Sequence, residues 1–331
     1  MASTGKTWDR SQLRNYDLQL EQIPRLESND PRIDEFISEN KPVVITGSKL
    51  VASAMKWDLN YLEENIGTSD FTVFQSSNHK FKYYDEKKIP KLNAEFIPPT
   101  TKLSMKFSEF TKCLTETKDS NSRLYLQECL NNNLGAEIVR DFLNFDWQFC
   151  TTIQSKHSWG PLTSNLLLVG MEGNVSPCHY DEQQNLFAQV LGHKRCILFP
   201  PEQFECLYPH PVFHPHDRQS MVDFDNPDHV RFPKFKELKG WETVIGPGEV
   251  LYIPIYWWHH IESLLAGGPT VTINFWYKAK PNGSVTYPLK GHQKVAIMRN
   301  IEKMLVDVLQ DPNDVSPLLR AIVLGRYTEH T

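Results

Sequence analysis

Alternating and continuous apolar runs divide the chain into three stretches of different texture. In the first, DPRIDEFISEN combines an acidic start with helical spacing, PVVITG is a short buried strand, and KWDLNYLEENIG is a helix stopped by glycine. FTVFQSS and FKYYD follow as strand-like pieces, MKFSEFTKCLTET as a helix, and RLYLQECL restarts the apolar pattern. From about residue 160, SNLLLVGMEG, NLFAQVLGHKRCILFPP, EVLYIPIYWWHHIESLL and TVTINFWYK are apolar or alternating runs rich in β-branched and aromatic residues. Short strands with Gly and Pro turns between them predict a sandwich or barrel. LFAQVL and KRCILF, separated by Gly192 and His193, read as a hairpin. At the C-terminal end Val295, Met298, Ile301, Leu305 and Val308–Leu309 recur at three- and four-residue steps, and Leu318, Leu319, Ile322 and Val323 do the same after DPND. Two amphipathic helices at this position pack either on their own core or on a partner's helices.

Composition narrows the class without naming a chemistry. A chain of 331 residues with 40% hydrophobic and 23% charged residues is ordinary for a globular protein. A net charge of −5 leaves no basic footprint for nucleic acid. No apolar run approaches the roughly 20 residues that span a bilayer, and MASTGKTWDRSQLRNYD lacks the apolar core of a secretory signal. The first 15 or so residues are polar and predicted to be loose. Six scattered cysteines with no CxxC pair suggest reduced thiols in the cytoplasm or nucleus.

The chemistry concentrates in Ser176-Pro-Cys-His179-Tyr-Asp181-Glu-Gln-Gln-Asn185. Residues i and i+2 of a strand share a face, so His179 and Asp181 can present an imidazole and a carboxylate to one point. A histidine from a later strand, His259 or His260 in IPIYWWHHIES, would complete one face of an octahedron. Adjacent strand residues face opposite ways, so only one of the pair can look inward, and periodicity does not choose between them. Two histidines and a carboxylate on one face are the donor set of non-haem iron(II) oxygenases, which leaves three positions for a 2-oxo acid and dioxygen. Lys194 enters an apolar strand between these ligands; such a lysine is ordinarily solvated, and its functional reading is a partner for the far carboxylate of 2-oxoglutarate. His210, His214 and His216, in YPHPVFHPHD, are expected in an extended loop as exposed side chains, with a zinc site there a minor alternative.

SPCHYDEQQNLFAQVLGHKRCILFPP followed by GPGEVLYIPIYWWHHIESL resembles the JmjC group of 2-oxoglutarate oxygenases, which share a double-stranded β-helix barrel. WDLNYLEENIG, HKFKYYDEKK, RLYLQECL, LTSNLLLVGMEGNV, DRQSMVDFDNPD, TVTINFWYK and HQKVAIMRNIEKML extend the resemblance, from about residue 8 to Tyr327, to the asparaginyl hydroxylases of that group. The resemblance implies a mainly β fold with flanking helices: a mixed α/β region over 1–120, the jelly-roll barrel over 121–285 and dimerising helices over 286–331, with Leu319 at the interface. It implies His179, Asp181 and His259 as iron(II) ligands, and Lys194, Tyr125 and Ser176 around the distal carboxylate of 2-oxoglutarate. Asn185 and Asn274 would bond the chelating end, and Leu168, Phe187 and Ile261 would line the pocket. Tyr83, Gln127, Arg218, Gln219 and Trp276 would hold a peptide substrate. The reaction implied is asparagine β-hydroxylation with 2-oxoglutarate and O2, giving succinate and CO2. The implied partners are the C-terminal activation domain of hypoxia-inducible factor α, ankyrin-repeat proteins and a second copy of the chain. The sequence departs from the family's pattern at Ser176, where threonine is usual, and at Cys178, where alanine is usual. Alternatives that keep the triad are a JmjC lysine demethylase, and a lysine- or histidine-directed hydroxylase. A catalytically dead binding scaffold would instead be expected to have lost a ligand, and none is lost here.

Overall fold

The computed structural model describes residues 8–92, 94–116, 122–131, 134–279, 287–324 and 327. In chain order the elements are β1 (Gln19–Gln22), β2 (Arg25–Glu27), α1 (Arg32–Ser38), β3 (Val43–Thr46), α2 (Leu59–Asn65), β4 (Phe71–Ser76), β5 (Thr101–Met105), α3 (Phe107–Glu116), β6 (Arg123–Cys129), α4 (Ala136–Leu143) and α5 (Trp147–Lys156). They continue as β7 (Leu162–Gly170), β8 (Val175–Tyr180), β9 (Gln184–Leu191), β10 (Lys194–Phe199), β11 (Lys239–Ile245), β12 (Val250–Ile253), β13 (Trp258–Ser263), β14 (Thr270–Tyr277), α6 (Gly291–Leu309) and α7 (Val315–Val323).

Two sheets face each other, ordered β1-β11-β10-β13-β8 and β2-β3-β12-β9-β14-β7-β6-β4-β5. From β7 to β14 the chain crosses repeatedly between them, which makes the barrel a jelly roll with flanking helices. Strands from before residue 120 extend both sheets. Period-2 alternation on β10 sends Cys196 and Leu198 into the apolar layer between the sheets, with Leu168, Phe187 and Ile261, while Ile197 and Phe199 face an outer layer with Tyr180, Phe224 and Trp258. A third layer lies against the larger sheet and includes residues of α1, α2, α4 and α5.

Three expectations are corrected. LFAQVL and KRCILF are not a hairpin: β9 pairs with β12 and β14, whereas β10 pairs with β11 and β13. Gly192 turns the corner between sheets at φ +69°, where a Cβ would meet the Pro269 carbonyl oxygen at 2.5 Å. FKYYD forms no strand: the bridge to β8 is made by Lys80 just before it, with the Phe81 amide donating to the Val175 carbonyl, and residues 81–85 make no ladder. The chain is not loose from residue 8 onward: Asp9 caps a short 3-10 helix, the Leu265 amide donates to the Gln12 carbonyl, and Arg14 donates to the Gly173 carbonyl. Residues 1–7 lie outside the described residues.

Candidate active site

β8 and β13 are antiparallel neighbours, and their register places His259 directly opposite His179. The next pair is Ile261 opposite Ser176, so β8 uses three residues where β13 uses two. That irregularity brings Ser176 and His179, an odd number apart, onto one cavity wall. Asp181 follows two residues after His179 and faces the same way. The ligand atoms of His179, Asp181 and His259 all lie within 4.8 Å of one another, with His259 Nε2 3.7 Å from Asp181 Oδ2.

The surrounding bonds suit this trio to a cation. The Nδ1 atoms of His179 and His259 lie 2.8 and 2.9 Å from the carbonyl oxygens of Pro177 and Trp257. A carbonyl can only accept, so each Nδ1 carries the proton and each Nε2 keeps its lone pair. Burial, reinforced by the neighbouring His259, pushes His179 down to about 3, and burial lowers His259 as well. Burial acts to raise Asp181, but His259, His179, Arg218 and the Trp276 indole outweigh it and hold the carboxyl below its usual range. Two neutral imidazoles and a carboxylate are the protonation states a divalent metal requires. His260 points out of the other side of the sheet, stacked on Phe224 at 4.8 Å and 3.1 Å from the Tyr16 hydroxyl. Geometry therefore selects His259.

A cavity of about 570 Å³ opens beside the trio and brings together all the residues expected to hold 2-oxoglutarate or peptide except Lys194. One wall comes from residues spaced by two on strands of the larger sheet: Tyr125 and Gln127 on β6, Asn185 and Phe187 on β9, and Asn274 and Trp276 on β14. Gly170, opposite Tyr125, has no side chain to push the phenol away; a Cβ there would sit 3.1 Å from the ring. Leu168 and Ile261 supply apolar walls. Behind Tyr125 and Phe187 lies Lys194, only 2% exposed, its Nζ 3.2 Å from the Tyr125 hydroxyl and 5.4 and 5.5 Å from the two ring centres. No carboxylate lies within ion-pair distance of it among the described residues. The solvated alternative for this lysine is excluded. Asn185 Nδ2 reaches Asn274 Oδ1 at 3.4 Å, and the buried Asn185 Oδ1 has no partner.

At the mouth, Arg218 donates to Asp181 Oδ1 at 3.0 Å and Trp276 Nε1 to Asp181 Oδ2 at 3.2 Å. The exposed Tyr83 ring lies 5.7 Å from the Arg218 guanidinium, and the buried Gln219 has its Oε1 unpaired. His210, His214 and His216 are half-buried rather than exposed and cluster with ring centres 4.3 to 5.6 Å apart, His210 stacked on His214. Their nitrogens are directed to Lys82, the His216 amide and the Tyr83 carbonyl, and they do not converge as a metal site. Sequence reasoning missed Arg299 and the acids it holds, Glu182 and Asp217; a charged residue four positions after the buried Val295 on α6 was the available signal.

Residues 30–283 match the family model described as a cupin-like domain. The chain is 29% identical over 281 residues to Lysine-specific demethylase 8 of Danio rerio, covering 81% of this chain and 63% of the relative. It is 36% identical over 255 residues to Lysine-specific demethylase JMJ30 of Arabidopsis thaliana, covering 76% and 53%. HSPB1-associated protein 1 of Homo sapiens is 40% identical over 114 residues, 33% of this chain and 22% of the relative. The chain thus spans less than two thirds of the length of these curated relatives.

Proposed function

Because this chain belongs to the cupin-like, JmjC-type domain family, we propose that it is an iron(II)- and 2-oxoglutarate-dependent dioxygenase that hydroxylates the β-carbon of asparagine in peptide segments of other proteins. The observation that carries the co-substrate is Lys194: a buried ammonium whose partner within bonding distance is a phenol, Tyr125, that lines the same cavity as a two-histidine, one-carboxylate trio. Leaving a charge so placed costs several kcal/mol unless an anion completes it. A five-carbon dicarboxylate answers both ends. Its distal carboxylate meets Lys194, Tyr125 and Ser176; its 2-oxo acid end meets the metal, with Asn185 and Asn274 beside it.

Iron(II) held by His179, Asp181 and His259 would supply the oxygen chemistry that side chains lack. The balance is one O2 and one 2-oxoglutarate per peptide: one oxygen atom enters the asparagine, the other enters succinate, and CO2 leaves. The chain's own residues bind, orient and exclude water. Leu168, Phe187 and Ile261 keep the pocket apolar, while Arg218 and Trp276 fix the Asp181 carboxylate. Tyr83, Gln127, Arg218, Gln219 and Trp276 surround the approach as a peptide grip.

Asparagine as target rests on the sequence resemblance and is supported by the charge of the cavity lining. Lys82, Lys87, Lys102 and Arg218 line it against Asp85, Glu86 and the trio's own Asp181, which suits a neutral amide better than a methylated ammonium. The substrates proposed are the C-terminal activation domain of hypoxia-inducible factor α and ankyrin-repeat proteins. The second reading, oxidation of a lysine side chain, is favoured by the names of two relatives, both lysine-specific demethylases. We further propose a homodimer through α6 and α7, whose Met298, Ile301, Met304, Leu319 and Ile322 leave an apolar face exposed. Mass spectrometry decides the target: an ankyrin-repeat peptide and an activation-domain peptide, incubated with protein, iron and 2-oxoglutarate, should gain one oxygen on asparagine. Loss of methyl groups from a trimethyllysine peptide, with the asparagine peptides untouched, would transfer the assignment to the second reading.

A further inference from the structure

We propose that Arg299 is a positioning residue for the peptide mouth, a role that rests on the reading of Arg218 as part of the substrate grip. Arg299 is 3% exposed and reaches from α6 into the layer behind β8. Its guanidinium makes four bonds: Nη1 to the Tyr180 hydroxyl at 2.7 Å and to Asp217 Oδ1 at 2.7 Å, Nη2 to Asp217 Oδ2 at 3.0 Å, and Nε to Glu182 Oε1 at 3.1 Å. Tyr180 and Glu182 flank Asp181 in the chain, and Asp217 immediately precedes Arg218. One buried cation therefore clamps the backbone on both sides of the Arg218–Asp181 ion pair without touching either member.

The clamp answers a local need. Arg218 sits at φ +69°, a conformation that an L-residue adopts only when its surroundings hold it. The two-pronged Arg299–Asp217 bond, joined by Lys88 on Asp217 at 2.8 Å, supplies that hold. The Tyr180 amide donating to the Arg218 carbonyl at 3.1 Å locks the loop to β8. With the clamp intact, the Arg218 side chain is presented between Asp181 and the Tyr83 ring. Without it, the loop relaxes and the grip on peptide weakens, while the co-substrate end around Lys194 stays as it was.

The test uses the full chain as Arg299→Gln, Arg299→Lys and Asp217→Asn, each shown to be folded by circular dichroism. Hydrogen–deuterium exchange should rise roughly tenfold over residues 216–220 in Arg299→Gln, with β10 unchanged, since charge-assisted bonds of this kind are lost. The peptide KM should rise by a similar factor, the 2-oxoglutarate KM should hold within about twofold, and Arg299→Lys should recover part of the loss. Asp217→Asn should loosen the same loop, so an unfolded Arg299→Gln does not remove the test. Unchanged exchange over 216–220 in folded variants overturns the proposal, as does a parallel rise of both KM values. Should no asparagine peptide be hydroxylated by the unsubstituted protein, the proposed substrate fails, and the exchange comparison still decides the role of Arg299.

Discussion

Lys194 and Tyr125 meet across the two sheets, ammonium to phenol at 3.2 Å, and among the described residues neither has a carboxylate to complete the contact. An arrangement of this kind is stable only with an anion in prospect, which sets a double expectation for its removal. Lys194→Ala should raise the KM for 2-oxoglutarate by roughly ten- to a hundredfold, the worth of one charge-assisted bond. Lys194→Met should melt at a higher temperature than the parent when no co-substrate is present, because an uncompensated charge has gone. An unchanged titration, or a lower melting point, counts against the assignment.

Asp181 accepts from both Arg218 and Trp276 while facing the two histidines. Asp181→Ala should bring 2-oxoglutarate turnover below detection and weaken iron binding, read by metal analysis after dialysis. Undiminished turnover would remove the trio from the chemistry.

The clustered histidines give the protein an acid-sensitive flank. Burial, aided by Lys82, pushes His210 down to about 2, and burial pushes His216 down to about 4 and lowers His214. Unfolded, each titrates near 6.5, so between that value and the folded ones the unfolded chain holds more protons. Their stabilisation is complete above that pH and is lost as the pH falls through this window. The urea midpoint should drop between about pH 7 and about pH 5, and His210→Gln should flatten the slope. Equal slopes for parent and variant would exclude these rings as its source.

At the corner between sheets, Gly192→Ala should destabilise by at least about 2 kcal/mol in urea titration, from the left-handed backbone and the contact with the Pro269 carbonyl. A loss within experimental error would show that the corner can move.

For the helical face, Leu319→Arg should yield monomers by light scattering with the barrel's circular dichroism preserved. A persistent dimer would place the interface elsewhere.

The sequence was most informative where one element carries one period. β3, β4, β7, β12, β13 and β14, the helices α1 to α3 and the inward pairing of His179 with Asp181 all follow from local spacing. It was silent where geometry is made by distant partners. The choice of His259 over His260 depends on the β8–β13 register, and the enclosure of Lys194 depends on which face of β10 meets the other sheet. LFAQVL-GH-KRCILF has the local grammar of a hairpin, yet its strands find better partners in β14 and β13. KGWETVI, which becomes β11, carries no clean alternation, whereas α4 does hold Ile138 and Phe142 at a four-residue step, a helical signal that went unread. On α6, the apolar stripe concealed an inward-facing arginine, and its meaning appears only with Asp217 and Glu182 in place.

The repeated crossing between sheets also sets when the site can exist. His179 and His259 become neighbours only after β13, late in the chain, has paired with β8, so a nascent chain halted before β13 has no third ligand to offer. Pairings this distant in sequence form slowly. Metal capture is therefore expected as a closing event of folding rather than its nucleus, and a barrel truncated before β13 should neither retain iron nor be rescued by adding it.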